Sequence, residues 1–482
     1  MKFIRIRSFG TNGVVAVAFA LVWSWPALAQ EANLDQIRAK AEKGDAKAQT
    51  AFATMFYRGQ GVLQHYAEAA KWFRKAAEQG EAPAQKSLAS MYYHGQGVNQ
   101  SDAEAVNWFR KAADQGDPDA QIELGLLTIN GQGVAADAAQ GARWFRKAAD
   151  KGHLVAQKNL GVLHLKGQGV PQDNAEAAKW FRKAAEQGEP QAQNELGRML
   201  VGGVGVNKDA AEAAKWFRKA ADQGEPTAQR NLATLYFVGQ GVSLDDGEAV
   251  KWFRKAAEAG DAQAQYYLGL MHVRGRGVAQ DMNEALGRFR AAAEANDPMA
   301  QNELGWRYEN GQGVTADLAE AVKWYRKAAD QGYATAQHNL GVLYANGRGL
   351  PKDPSEAMKW YRKAADQGSA ISQNEIGFMY NQGVGVEKSA DQALEWFRKA
   401  AELGLDVAQQ NLGILYTKER GTASPDFVEA YKWFNLAAAQ GNTNAVNNRD
   451  LIMKRMTVDQ INEGQKRAAE FLGKKSSGES AR

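Results

Sequence analysis

Apolar and polar positions along this chain repeat with two superposed periods, one helical and one of 36 residues. Between Asp45 and Arg58, the side chains of Ala48, Phe52, Ala53 and Phe56 fall on one stripe of an α-helix. Between Tyr66 and Gln79, Ala69, Trp72, Phe73 and Ala76 do the same. Gly59-Gln60-Gly61-Val62 separates the two stretches, so the pattern predicts a helical hairpin. The aromatic pair Trp72-Phe73 returns at Trp108-Phe109, Trp144-Phe145, Trp180-Phe181, Trp216-Phe217 and Trp252-Phe253, always 36 residues on. The register continues through Trp324-Tyr325, Trp360-Tyr361 and Trp396-Phe397. Arg288-Phe289 loses its Trp, and Trp433-Phe434 is displaced by one inserted residue.

Eleven such repeats fill residues 45–441. One hairpin cannot bury both of its apolar stripes, so neighbours must stack; the predicted fold is an all-α, right-handed superhelical solenoid of 36-residue helix-turn-helix repeats. Capping boxes start the second helices, as at Asp173 with Glu176, Asp209 with Glu212, Asp317 with Glu320 and Ser101 with Glu104. Gly80, Gly116 and Gly188 stop them where a left-handed residue is needed, a place taken once by Asn296. Atypical ends are expected. Residues 30–44 read as an N-terminal capping helix with Gln36 in the Trp slot. Residues 442–472 read as C-terminal capping helices, the last opening at Thr457 with Gln460, and 473–482 as a disordered tail. Gly287 beside Arg288 weakens the helix around 281–296 and predicts a soft joint there.

The order Ala-Xaa-Ala-Gln, Leu-Gly, Tyr, Gly-Xaa-Gly, Glu-Ala, then Trp-(Phe/Tyr)-Arg-Lys-Ala-Ala resembles the Sel1-like repeat, a relative of the tetratricopeptide repeat; residues 334–368 carry it almost intact. The resemblance implies a bacterial interaction scaffold whose first helices line a concave binding face. Some cysteine-rich proteins of this family have been described as hydrolysing or binding β-lactams; this chain departs from them in having no cysteine.

Composition narrows the setting. Lys2, Arg5 and Arg7 precede an apolar run from Gly13 to Trp23 and an Ala27-Leu28-Ala29 site, the form of a cleavable signal peptide spanning 1–29 with the cut after Ala29. That run is too short to cross a bilayer, and no second span follows. Without cysteine there is no lipid-modified amino terminus, and the expected location is periplasmic or secreted. Removal of the signal leaves 56 Lys and Arg against 55 Asp and Glu, so the electrostatic footprint of a nucleic-acid binder is missing.

Candidate chemistry is sparse. The Gly-Xaa-Gly turns join two helices, whereas a phosphate-binding fingerprint follows a strand, so these glycines serve the turn. The six histidines show no pair at metal-ligand spacing, so neither metal nor cofactor is expected. No nucleophile, base and orienter set or Ser-Xaa-Xaa-Lys box is discernible, and no catalytic residue is assigned. What varies between near-identical repeats is the first helix after the Leu-Gly step. There Tyr57, Tyr93, Ile129, Leu165, Arg198, Phe237, Trp306 and Phe378, together with Tyr266 just ahead of the step, are the candidate groove residues, with Lys86, Lys158 and Arg230 as flanking cations. The function this supports is a non-catalytic protein–protein interaction scaffold or regulator in the bacterial cell envelope, holding an envelope protein or peptide. The alternative is a periplasmic hydrolase or binder of β-lactam or cell-wall glycan.

Overall fold

The structure, a computed structural model, describes residues 34–418 and 424–476. The expected export signal at 1–29, the turn at 419–423 and the last residues of the tail, 477–482, lie outside the described residues. Among the described residues there are 25 helices and no strand, so the chain is all-α as its periodicity predicts. It divides into two compact blocks, one ending at Ala259 and the other beginning at Gly260. Within each block helical hairpins stack one on the next, a solenoid.

The repeat at the middle of the N-terminal block shows why these residues fold as they do. Its first helix, Pro190–Gly202, starts under Glu189, whose carboxylate accepts from the Ala192 N–H, and stops at Gly203 with φ 70°. Its second helix, Ala210–Asp222, is capped by Asp209, which accepts from the Glu212 N–H at 2.8 Å. The predicted capping box is closed on that side only. The Asp209 N–H already donates to the Leu200 carbonyl at 2.9 Å, so it has no use for the Glu212 carboxylate. That carboxylate accepts instead from the Trp216 indole at 3.1 Å and from Arg182 of the preceding repeat at 2.8 Å. Lys219 completes the outer edge, its ammonium 4.2 Å from the Trp216 ring centre.

The loop between the helices is a packing element as much as a turn. Gly205 has φ 68°, and a Cβ there would stand 2.2 Å from the carbonyl carbon of Asn174, on the first turn of the preceding repeat's second helix. Both the backbone conformation and the close approach exclude a side chain. Asn296, with φ 68°, is the one non-glycine residue at positive φ among the described residues, in the slot predicted for it.

A glutamine ladder runs along the repeats. The Gln of the Ala-Xaa-Ala-Gln step donates to a carbonyl eight residues back, as from Gln193 to Ala185 at 3.1 Å and from Gln337 to Ala329 at 3.1 Å. Its side-chain oxygen accepts from a second Gln at the end of its own hairpin's second helix, as from Gln223 to Gln193 at 2.9 Å and from Gln367 to Gln337 at 2.8 Å. Where that second Gln is replaced by Lys151, Ala259 or Leu403, the oxygens of Gln121, Gln229 and Gln373 are buried with no partner. Ala295 makes the same gap, but there Arg288 donates to Gln265 at 3.1 Å and to Glu284 at 2.8 Å. The lost Trp of that repeat is thus replaced by a hydrogen bond across the hairpin, and Met282–Glu294 is an uninterrupted helix. Leu403 is half exposed, so Leu403→Gln should complete the Gln373 rung and stabilise the C-terminal block by about 1 kcal/mol, read as a higher urea midpoint.

The two ends differ from the repeats. Leu34–Glu42 lays Ala41 against the first repeat, whose Gln49 donates to the Ala41 carbonyl at 3.0 Å. At the other end, Val458–Ser476 opens with a box closed on both sides: the Gln460 N–H bonds Thr457 at 3.2 Å and the Thr457 N–H bonds Gln460 at 2.9 Å. This helix folds back on Phe427–Ala439, Phe471 lying edge-on to Trp433 at 5.3 Å and Gly464 against Tyr431. It runs to Ser476, so the tail expected to be disordered from 473 starts as helix; Lys474 in the last turn suits the negative end of the helix dipole.

Candidate partner-binding surface

Each first helix spends three of its sides on packing. In Pro298–Asn310, Ala300, Leu304 and Arg307 are buried, as are Gln301 and Gly305, which leaves Asn302, Glu303, Trp306, Glu309 and Asn310 for the outer face. The Leu-Gly step lets the helices of one hairpin approach closely: a Cβ on Gly305 would meet the Tyr325 ring at 2.6 Å. Trp306, the residue after that step, is held on this close pair of helices and exposed, whereas Leu126 at the same position is buried.

The structure distributes the candidate residues unevenly on this face. In the C-terminal block Trp306 and Phe378 are 43% and 47% exposed; Ile371 stands out on the first turn of the Phe378 helix, and Val407 on the first turn of the next first helix, Asp406–Tyr416. Tyr266 is partly covered, its ring 5.8 Å from Phe289, and burial pushes its phenol well above the usual range. In the N-terminal block the candidates are mostly engaged. The Tyr57 hydroxyl donates to Gln96 at 3.0 Å, and burial raises its pKa. Tyr93 packs on the core, and the Phe237 ring lies 6.5 Å from Phe253. Leu165 is partly buried, and Arg198 is exposed with its guanidinium 3.1 Å from Glu195. Ile129 is only 8% exposed, because Gly141 leaves room for it inside its own hairpin. It offers a partner almost no surface.

Two of the flanking cations are ties within the solenoid. Lys86 bonds Asp119 at 2.8 Å and Asp117 at 3.1 Å; burial works to lower its pKa, but these two carboxylates outweigh it and raise it. Asp119 is held down to about 2, first by His153 and then by Lys86. Lys158 reaches Glu189 at 3.5 Å and Gln191 at 2.6 Å. Each lysine fastens its helix to the start of the next repeat's first helix, over a chain separation that a motif read within one repeat does not reveal. Burial, with the charge of Asp119, pushes the neighbouring Glu123 up to about 8.

A row of asparagines also escaped the sequence reading. Asn231 donates to Asn194 at 2.8 Å, Asn339 to Asn302 at 3.0 Å and Asn411 to Asn374 at 3.0 Å, in each case 37 residues back. Asn159 falls in the same register, but opposite it stands Ile122, and both polar atoms of its fully buried amide are unpaired.

One contact has the look of catalytic chemistry. The His338 ring nitrogen Nδ1 lies 3.0 Å from the Ser372 hydroxyl. Ser372 is wholly buried and bonded also to Ser369 at 3.0 Å, and burial lowers the His338 pKa. Among the described residues no carboxylate hydrogen-bonds the ring, so the pair resembles a packing contact more than a poised nucleophile. No group of three potential metal ligands occurs among the described residues. No described helix is long and apolar enough to cross a membrane.

The comparisons agree with this architecture. The Sel1 repeat profile matches eleven consecutive segments, from 46–81 to 406–442. A protective antigen present in uropathogenic Escherichia coli strains, displaying an SLR fold, is 38% identical in sequence, with a TM-score of 0.67 over 92% of this chain and 95% of that one. A Sel1 repeat protein from Oxalobacter formigenes is 37% identical, with a TM-score of 0.52 over 66% of this chain and 95% of that one. No curated protein sequence matches. Repeats of this kind are typically non-catalytic helical scaffolds for protein interaction, and by sequence and fold this chain belongs to the Sel1 repeat family.

Proposed function

We propose that this chain is a non-catalytic protein-interaction scaffold of a bacterial cell envelope, exported by its first 29 residues. Its partner, a protein or peptide, is bound on the outer face of the first helices in the C-terminal block. The supporting observation is that Trp306 and Phe378, large apolar side chains on rigid helices, stand nearly half exposed. Leaving such groups in water forgoes burial worth about 1.5–3 kcal/mol each, and large apolar side chains exposed on one face of two repeats suit a contact surface. Aromatic anchors on a preorganised support are also where binding energy concentrates.

The test is capture from envelope extract with residues 30–482, run beside a Trp306→Ala, Phe378→Ala double variant. The expected result is one or a few proteins retained by the native chain and lost with the variant, whose melting temperature is unchanged. Retention by both places the binding elsewhere, and retention that survives protease treatment of the extract points to glycan.

A further inference from the structure

The outer face of the helix Ala370–Gln382 carries a carboxylate, Glu375, that makes no ion pair among the described residues. Glu375 lies between Ile371, one turn before it, and Phe378, one turn after it, which are 53% and 47% exposed. Other acids on this face are neutralised internally: Glu303 is 2.7 Å from Arg307, and Glu309 is 2.7 Å from Arg348. Glu375 instead accepts from the amide of its neighbour Asn374 at 3.3 Å. The titratable group that senses it from the adjoining second helix is the Tyr361 phenol, which is neutral. Partial burial without a cation pushes the Glu375 carboxyl above its ordinary range.

Resting on the docking face proposed above, we propose that its occupant is a peptide segment whose basic side chain, flanked by apolar ones, pairs with Glu375. A carboxylate already half withdrawn from water gains more from an arriving cation than an exposed one does, because the partner excludes the remaining solvent. Ile371 and Phe378 set apolar contacts one turn to either side, so charge and hydrophobicity are required of the same short segment. A neutral or acidic segment would cover Glu375 without pairing it, which costs affinity. Asn374 is itself fixed by the Asn411 amide at 3.0 Å, so the carboxylate is presented from a braced position.

Random short peptides displayed on phage, selected against residues 30–482, supply the probe. The expected selection is enriched in Arg or Lys with apolar residues on both sides. The strongest selected peptide, synthesised and labelled, should bind Glu375→Gln roughly tenfold more weakly than the native chain. Phe378→Ala should weaken it as well. Glu375→Gln should melt at or above the native temperature, since it removes an unpaired charge, so lost binding cannot be ascribed to unfolding. Neutral or acidic selected sequences, or unchanged affinity for Glu375→Gln, overturn the inference. If Phe378→Ala weakens binding and Glu375→Gln does not, the docking face stands and the basic occupant falls. If neither variant weakens it, both readings fall.

Discussion

Gly197→Val should destabilise the N-terminal block by about 3 kcal/mol, and Gly197→Ala by far less. A Cβ at Gly197 would stand 2.6 Å from Cε1 of Phe217 and 2.8 Å from Cδ1, in the contact where the two helices of the hairpin cross. Phe217 is 2% exposed and has little space into which to retreat. Yet Ala53, Ala89 and Ala233 occupy this register in three other repeats, so a single methyl is accommodated by a small displacement of the ring. Alanine also gains about 1 kcal/mol of helix propensity over glycine, which offsets the strain. Valine adds two branches that no ring shift of that size can clear. Urea unfolding measures both variants, and Phe217→Leu should partly rescue the valine. Equal and mild effects of alanine and valine would show that the crossing is not in hard contact.

Lys158→Met should cost about 3 kcal/mol at neutral pH, nearly all of it recovered when Glu189→Gln is added. The Lys158 and Glu189 side chains are 8% and 9% exposed, so removing one charge strands the other away from water. Methionine retains most of the apolar stem, so the loss reports the stranded carboxylate and not a cavity. Glutamine at 189 can still cap the helix by accepting from the Ala192 N–H, the role Glu189 now fills. The double-mutant cycle should therefore be strongly non-additive. Additive costs would mean that the two charges are solvated independently.

These two contacts mark the boundary of what the sequence discloses. Helix positions, caps and the left-handed slot at Asn296 are local, set by residues within one turn of each other, and each is legible as a pattern. The glutamine rungs join residues 30 apart and depend on how the two helices of one hairpin lie together; the asparagine pairs join residues 37 apart and depend on how one hairpin lies against the next. Side-chain identity at the candidate face was legible, but its exposure was not. Ile129 and Trp306 are both large and apolar in the second half of a first helix; the first sinks over Gly141, whereas the second, at a position three residues earlier in the repeat, lies on the exposed side. The same blindness made Lys86 and Lys158 look like groove cations, although their partners sit at the next repeat's helix start.

The C-terminal helix has a consequence for how such a protein changes length. Val458–Ser476 turns back onto the second helix of the last repeat, with Arg467 holding Glu429 at 2.9 Å and Gln465 bonding the Tyr431 hydroxyl at 3.2 Å. A face of the last repeat's second helix is thereby covered by this helix and not by another repeat. An array of this kind can lengthen by duplication of a 36-residue module among its repeats, where a new hairpin meets helix faces of the same pattern, but not at the face of Phe427–Ala439 that this helix covers.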